Sequence, residues 1–101
     1  MPRVRFTRRS RADLNEIYDR IADGSPRAAQ SMIDRIVDRS SKLRDQPLSG
    51  HPRNDLYPGL RSVRCGHYLI LHEVVGDSVV ITHVVHHARN LPVIVGRPPS
   101  P

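Results

Sequence analysis

The chain is short of what most small proteins use to hold themselves together. It has no tryptophan, one phenylalanine and one cysteine, and aromatic residues make up 4% of its 101 residues. A lone cysteine, Cys65, excludes an internal disulfide, and with no export signal it fits a reducing compartment. There is no CxxC pair, so no structural zinc is expected. No apolar run approaches the roughly 20 residues that cross a bilayer. The opening MPRVRFTRRS is basic, but no apolar stretch follows it as a secretory signal would require. The expectation is a cytoplasmic protein without membrane association, resident metal or cofactor.

Acid is scarce too. Ten acidic residues face sixteen basic ones, a net charge of +6, with far more arginine than lysine. Arginine suits forked recognition of phosphate or carboxylate. A basic surface admits nucleic acid, an acidic protein, or a protein that itself handles DNA. The length allows one domain, with a core small enough that a partner can add to its stability. Apolar residues at 38% and charged residues at 26% fit a folded chain.

Residues 3–6, RVRF, alternate charged and apolar as an edge strand does. SRADLNEIYDRIAD reads as a helix capped by Ser10, with Asp13 three positions on as a near capping box. Leu14, Ile17, Tyr18 and Ile21 make one apolar stripe, and Gly24 ends it. A second helix starts from Ser25 as cap and Pro26 as first residue. It presents Ala29, Met32, Ile33, Ile36, Val37 and Leu43 before Pro47 stops it. So short a link implies an antiparallel helical hairpin.

PLSGHPRNDLYPG is a loop, and beyond it the period falls from 3.6 to 2. LRSVRC, YLILHEVV and SVVITHVVH read as three strands of a meander. Gly76-Asp77 makes a type II′ turn between the last two. The N-terminal strand joins the meander's edge. The expected fold is α+β: a small, mainly antiparallel four-stranded sheet with the helical hairpin on one face, in the order β-α-α-β-β-β. It is one domain over residues 1–95, with a Pro-rich tail at 96–101 expected to fray. YLILHEVV is apolar on both faces, Tyr68, Ile70 and Val74 on one and Leu69, Leu71 and Val75 on the other. The hairpin covers one face only, so a partner chain is expected on the second.

His86, His87 and Arg89 end the last strand. Adjacent strand residues point apart, so the two imidazoles meet only if the strand has ended. This knot reads as an anchor for the strand end, not as a reaction centre. His72 and His83 are expected to face each other on neighbouring strands. Arg61 and Arg64 point to opposite faces, and Arg61 either meets a partner or pairs with Asp55 or Glu16. The carboxylates of both helices alternate with arginine as solvated ion pairs. The run RFTRRSR lacks interleaved aromatics, so base stacking is not indicated there.

The order strand–helix–helix–strand–strand–strand, with GLRSVRCGHYLILHEV and then VVHHARNL, resembles the ParE/RelE superfamily of toxins from type II toxin–antitoxin modules. The resemblance covers residues 3 to about 92. It rests on Gly59-Leu60-Arg61-Ser62, Tyr68-Leu69-Ile70, and His86 with Arg89 three residues on. It implies a toxin neutralised by a cognate ParD-like antitoxin in a hetero-oligomer. ParE-type members poison DNA gyrase, and the GyrA subunit is the expected target. RelE-type members cut mRNA on the ribosome.

Leu69 stands where the RelE pattern has arginine, and LPVIVGRPPSP offers no Tyr, His, Asp or Glu. Arginine stays ionised and donates protons poorly. The resemblance therefore leans to the ParE branch, with no catalytic residues expected. Arg61, His86 and Arg89 are the target-binding candidates. Leu14, Tyr18, Leu69 and Leu71 are the antitoxin-binding candidates. Under the nuclease alternative the set is Arg61, Arg64, His86 and Arg89. The chain departs from the ParE pattern at His72, where tyrosine is usual, at His87 (glycine) and at Asn90 (aspartate).

Overall fold

The computed structural model describes residues 3–95; the expected fraying of 96–101 lies outside them. Chain order is β1 (Arg3–Phe6), α1 (Arg8–Ala22), α2 (Pro26–Ser41), a 3₁₀ turn (Lys42–Arg44), β2 (His51–Pro52), β3 (Arg61–Cys65), β4 (Tyr68–Val75), β5 (Ser78–His86) and α3 (Leu91–Val95). The α+β architecture and the helical hairpin are as the sequence implied.

The first helix starts earlier than expected. Thr7, not Ser10, is its N-cap, and the Thr7 hydroxyl accepts the Ser10 N–H at 3.1 Å. Ser10 turns its own hydroxyl back to the Thr7 carbonyl at 2.9 Å. Asp13 is thereby freed from capping and serves elsewhere. Ser25 caps α2 as expected, accepting from the Ala28 N–H, with Pro26 at the first helical position.

Among the described residues the sheet has five strands in the order β1-β5-β4-β3-β2. The fifth is the two-residue β2, which the Pro-rich loop lays against Arg61 and Ser62 of β3. β1 runs parallel to β5, and the remaining pairs are antiparallel. Both tight turns put glycine first: Gly66 at φ 60° and Gly76 at φ 61°. A left-handed first position followed by an ordinary residue is the type II′ geometry that matches strand twist.

Two apolar clusters sandwich the sheet. The larger joins Ile17, Ile36, Leu43, Val63, Tyr68, Ile70, Val79, Ile81 and Val84 under the helical hairpin. The smaller joins Leu56, Tyr57, Leu60, Leu71, Val85, Leu91 and Val95 on the opposite face. The second face is therefore covered over much of its area by the chain itself, through the 56–60 loop and α3. A strand apolar on both sides needed a second cover, as expected, but the Pro-rich loop supplies it from within.

A bulge offsets β5. His72 of β4 opposes Ile81, Leu71 opposes His83, and Thr82 is the extra residue between them. His72 consequently lies on the hairpin side and His83 on the other, so the two imidazoles do not face each other. The added residue resets the two-residue alternation that the sequence argument assumed.

Candidate functional site

β1 ends at Phe6, which leaves the outer edge of β5 unpaired from Thr82 onward. Helix α1 finishes the pairing. Thr7 Oγ1 donates to the Thr82 carbonyl at 3.1 Å, and Asp13 Oδ2 accepts the buried Val84 N–H at 3.0 Å. Arg9 holds the other Asp13 oxygen at 3.0 Å. A buried N–H left unpaired would cost about 1–3 kcal/mol, so this carboxylate sets where α1 lies across the strand. The solvated ion-pair reading fails for Asp13: its carboxylate is buried, and only its partner Arg9 is exposed.

Beyond this clamp the strand stops, and the polar knot forms. The Arg89 N–H closes a turn on the His86 carbonyl at 3.0 Å, and the His87 N–H donates to the His67 carbonyl at 2.8 Å. His86 Nδ1 accepts the Ala88 N–H at 3.1 Å, so the neutral ring carries its proton on Nε2. With the strand ended, His86 and His87 no longer point apart. Their rings stack with centroids 4.8 Å apart and 22° between planes. His67 completes the group, 6.0 Å from each. Tyr68 meets His86 edge-on at 5.7 Å.

His67 was absent from the sequence-derived candidates. Its signal was the two-residue turn itself, since the Cys65–Tyr68 pairing carries the turn to the end of β5. Proton uptake at His87 is pushed below the ordinary imidazole range by lost hydration and by the positive fields of Arg64, His86 and His67. Among the described residues no group of three His, Cys, Asp or Glu is placed to hold a metal ion.

The arginines separate as their spacing demanded. Arg61 opposes His72 on the hairpin side. Its guanidinium reaches the carbonyls of Ser49 and Gly50, at 3.4 and 3.1 Å. Neither expected carboxylate partner is used: Asp55 binds Arg53 instead, a hydrogen bond that holds the Asp55 carboxyl below the usual carboxylate range. Arg64 opposes Leu69 on the other face and donates to the Gly66 carbonyl at 2.8 Å. Arg89 is exposed and borders a cavity of about 50 Å³ with His86, Tyr68, Glu16, Arg20 and Ile94. That space suits a water or two.

Of the apolar candidates, Leu14 and Tyr18 are half-buried on α1, and Leu69 is half-buried beside the second cluster. Leu71 is fully buried in that cluster and presents no surface to a partner in this conformation. His72 is also fully buried, and neither ring nitrogen has a hydrogen-bond partner among the described residues.

A mostly antiparallel five-stranded sheet under a helical hairpin, with arginine and histidine gathered at the end of β5, defines the fold class of the small type II toxins. The family described as the ParE toxin of type II toxin-antitoxin systems, parDE, matches residues 4–91. The chain belongs to that family. It is 29% identical over 98 residues to toxin ParE3 of Caulobacter vibrioides, spanning 96% of this chain and 98% of that one. Among solved structures it superposes on the chromosomal ParDE toxin–antitoxin system from P. aeruginosa with a TM-score of 0.76. That match has 25% identity and covers 85% of this chain and 96% of the other. It also superposes on the toxin–antitoxin complex RelBE2 from Mycobacterium tuberculosis, TM-score 0.64 and 29% identity, covering 87% and 93%. Among the described residues, no helix is long and apolar enough to cross a membrane.

Proposed function

We propose that this toxin acts in the cytoplasm by binding DNA gyrase, through the GyrA subunit, and that a ParD-like antitoxin neutralises it. One observation carries the preference for binding over chemistry. The four residues a nuclease would need are split across the sheet. Arg61 is on the hairpin side with its guanidinium committed to loop carbonyls, and Arg64 is on the opposite face. General acid–base cleavage requires its groups to converge on one phosphate. A binding surface has no such requirement.

The antitoxin partner is supported by the two structural relatives, each solved as a toxin–antitoxin system. Half-buried Leu14 and Tyr18 on α1, together with Leu69 on the sheet, are the apolar positions such a segment would cover. The charge of +6 favours fast, salt-sensitive association with an acidic segment.

The similarity to the RelBE2 complex favours one alternative, ribosome-dependent mRNA cleavage. One pair of measurements separates the two. Supercoiling by purified gyrase is followed with and without this protein, and mRNA from induced cells is mapped by primer extension. Blocked supercoiling with intact mRNA is expected. Discrete cuts within codons, with gyrase unaffected, would replace this reading by the nuclease.

A further inference from the structure

Among the described residues, the end of the sheet gathers positive and aromatic groups and no carboxylate of its own. β3 contributes Arg64, the β3–β4 turn contributes His67, β4 contributes Tyr68, and the end of β5 contributes His86 and His87. From α2, the Arg35 guanidinium comes within 3.7 Å of where a side chain on Gly66 would begin. Arg89 and Arg20 border the far side of His86. The carboxylates there are engaged: Asp13 with Arg9 and the Val84 N–H, Glu16 with Arg20 at 3.9 Å. His67 and His87 are exposed, so the imidazole stack has open outer surfaces.

We propose that Arg64, His67, His86 and His87 form a platform for a single strand of nucleic acid. Arg64 and the imidazoles in their charged form hold phosphate oxygens, and an unpaired base continues the stack on an exposed ring. At His87, the nearby Arg64, His86 and His67 disfavour proton uptake. A phosphate placed among them reverses that penalty, so binding and proton uptake favour each other. Affinity therefore rises as pH falls through the imidazole range. The sequence singled out Arg64, His86 and His87 but not their meeting with His67, which the β3–β4 turn delivers to the end of β5.

The test uses the whole purified protein and a short fluorescein-labelled oligothymidylate, with an RNA counterpart as a second arm, read by fluorescence anisotropy. Binding is expected to tighten about fivefold or more between pH of about 7.5 and about 5.5. His87→Gln and Arg64→Gln should each weaken it by about fivefold or more at the lower pH. Arg27→Gln, which removes one charge from an exposed position on α2, should stay within about twofold. In the wild type, adding the oligonucleotide should move the titration of His67 and His87 upward by NMR, a readout that needs no variant.

Equal losses in all three variants would reduce the effect to general basicity and overturn the proposal. So would binding that ignores pH, unmoved His67 and His87 titrations, or displacement by polyglutamate as readily as by unlabelled oligonucleotide. Either nucleic acid supports the site, and the ratio of affinities says whether a 2′-hydroxyl is read. The outcome is independent of the gyrase assay, so each reading can fail alone.

Discussion

Replacing His72 with leucine should make the protein more stable. The ring is fully buried against the helical hairpin, and neither nitrogen has a hydrogen-bond partner among the described residues. An unpaired buried polar atom costs about 1–3 kcal/mol, and a near-isosteric apolar exchange costs under about 1.5 kcal/mol in repacking. Both nitrogens are unpaired, so their combined cost outweighs the repacking, and the net expectation is a gain on the order of 1–3 kcal/mol at neutral pH. For a domain of this size that is a rise of roughly 5–15 °C in the melting midpoint.

Acid should widen the gap. Burial holds His72 below the ordinary imidazole value. Backbone at Ile70 and Ser49 partly offsets this without closing a hydrogen bond, and Arg61 and Arg39 reinforce it. The unfolded chain takes up the proton near pH 6.5, before the folded chain does. Stability is thus complete above that pH and is lost as pH falls toward the folded value. The leucine variant lacks this loss. Urea unfolding of both proteins at pH of about 7.5 and about 5 measures it. A variant less stable than the wild type at the higher pH, or a gap that stays constant on acidification, would refute the reasoning.

Asp13→Ala strands the Val84 N–H and releases Arg9, and should cost about 2–4 kcal/mol by urea unfolding. Gly50→Ala should cost more than about 2 kcal/mol. Gly50 sits at φ 92°, and an added Cβ would meet the Ser62 carbonyl oxygen and lie 2.7 Å from Val63 Cγ1. Thermal melting would show the loss. Arg89→Ala should leave the melting midpoint within about 2 °C, because the exposed side chain makes no hydrogen bond or ion pair to a described residue. It should nonetheless weaken growth arrest on induction, and full toxicity with an unchanged fold would remove Arg89 from the target surface.

How much of the site could be read in advance depends on the distance over which its geometry is set. The opposite directions of Arg61 and Arg64 follow from three residues of pleated chain. The meeting of His86 with His87 does not, because it requires knowing that β5 stops at His86 and turns there. His67 joins only once the β3–β4 turn is laid beside that end. The partner of Arg61 was misjudged for a related reason: loop carbonyls at Ser49 and Gly50 reach it once β2 docks on β3.

The sequence alone determined the pieces whose causes are local. Ser25-Pro26 starts α2, the apolar stripe of α1 chooses its buried face, and Gly66 and Gly76 set the two hairpin turns and hence the β3–β4–β5 meander. Tertiary structure decided the rest. It placed β1 parallel to β5, inserted the Thr82 bulge, folded α3 and the 56–60 loop over the second face, and gathered the histidines. These outcomes depend on backbone groups that find partners far away along the chain, as Val84 does in Asp13 and Thr82 does in Thr7. No local propensity encodes such a pairing; it exists only when packing brings the two segments together.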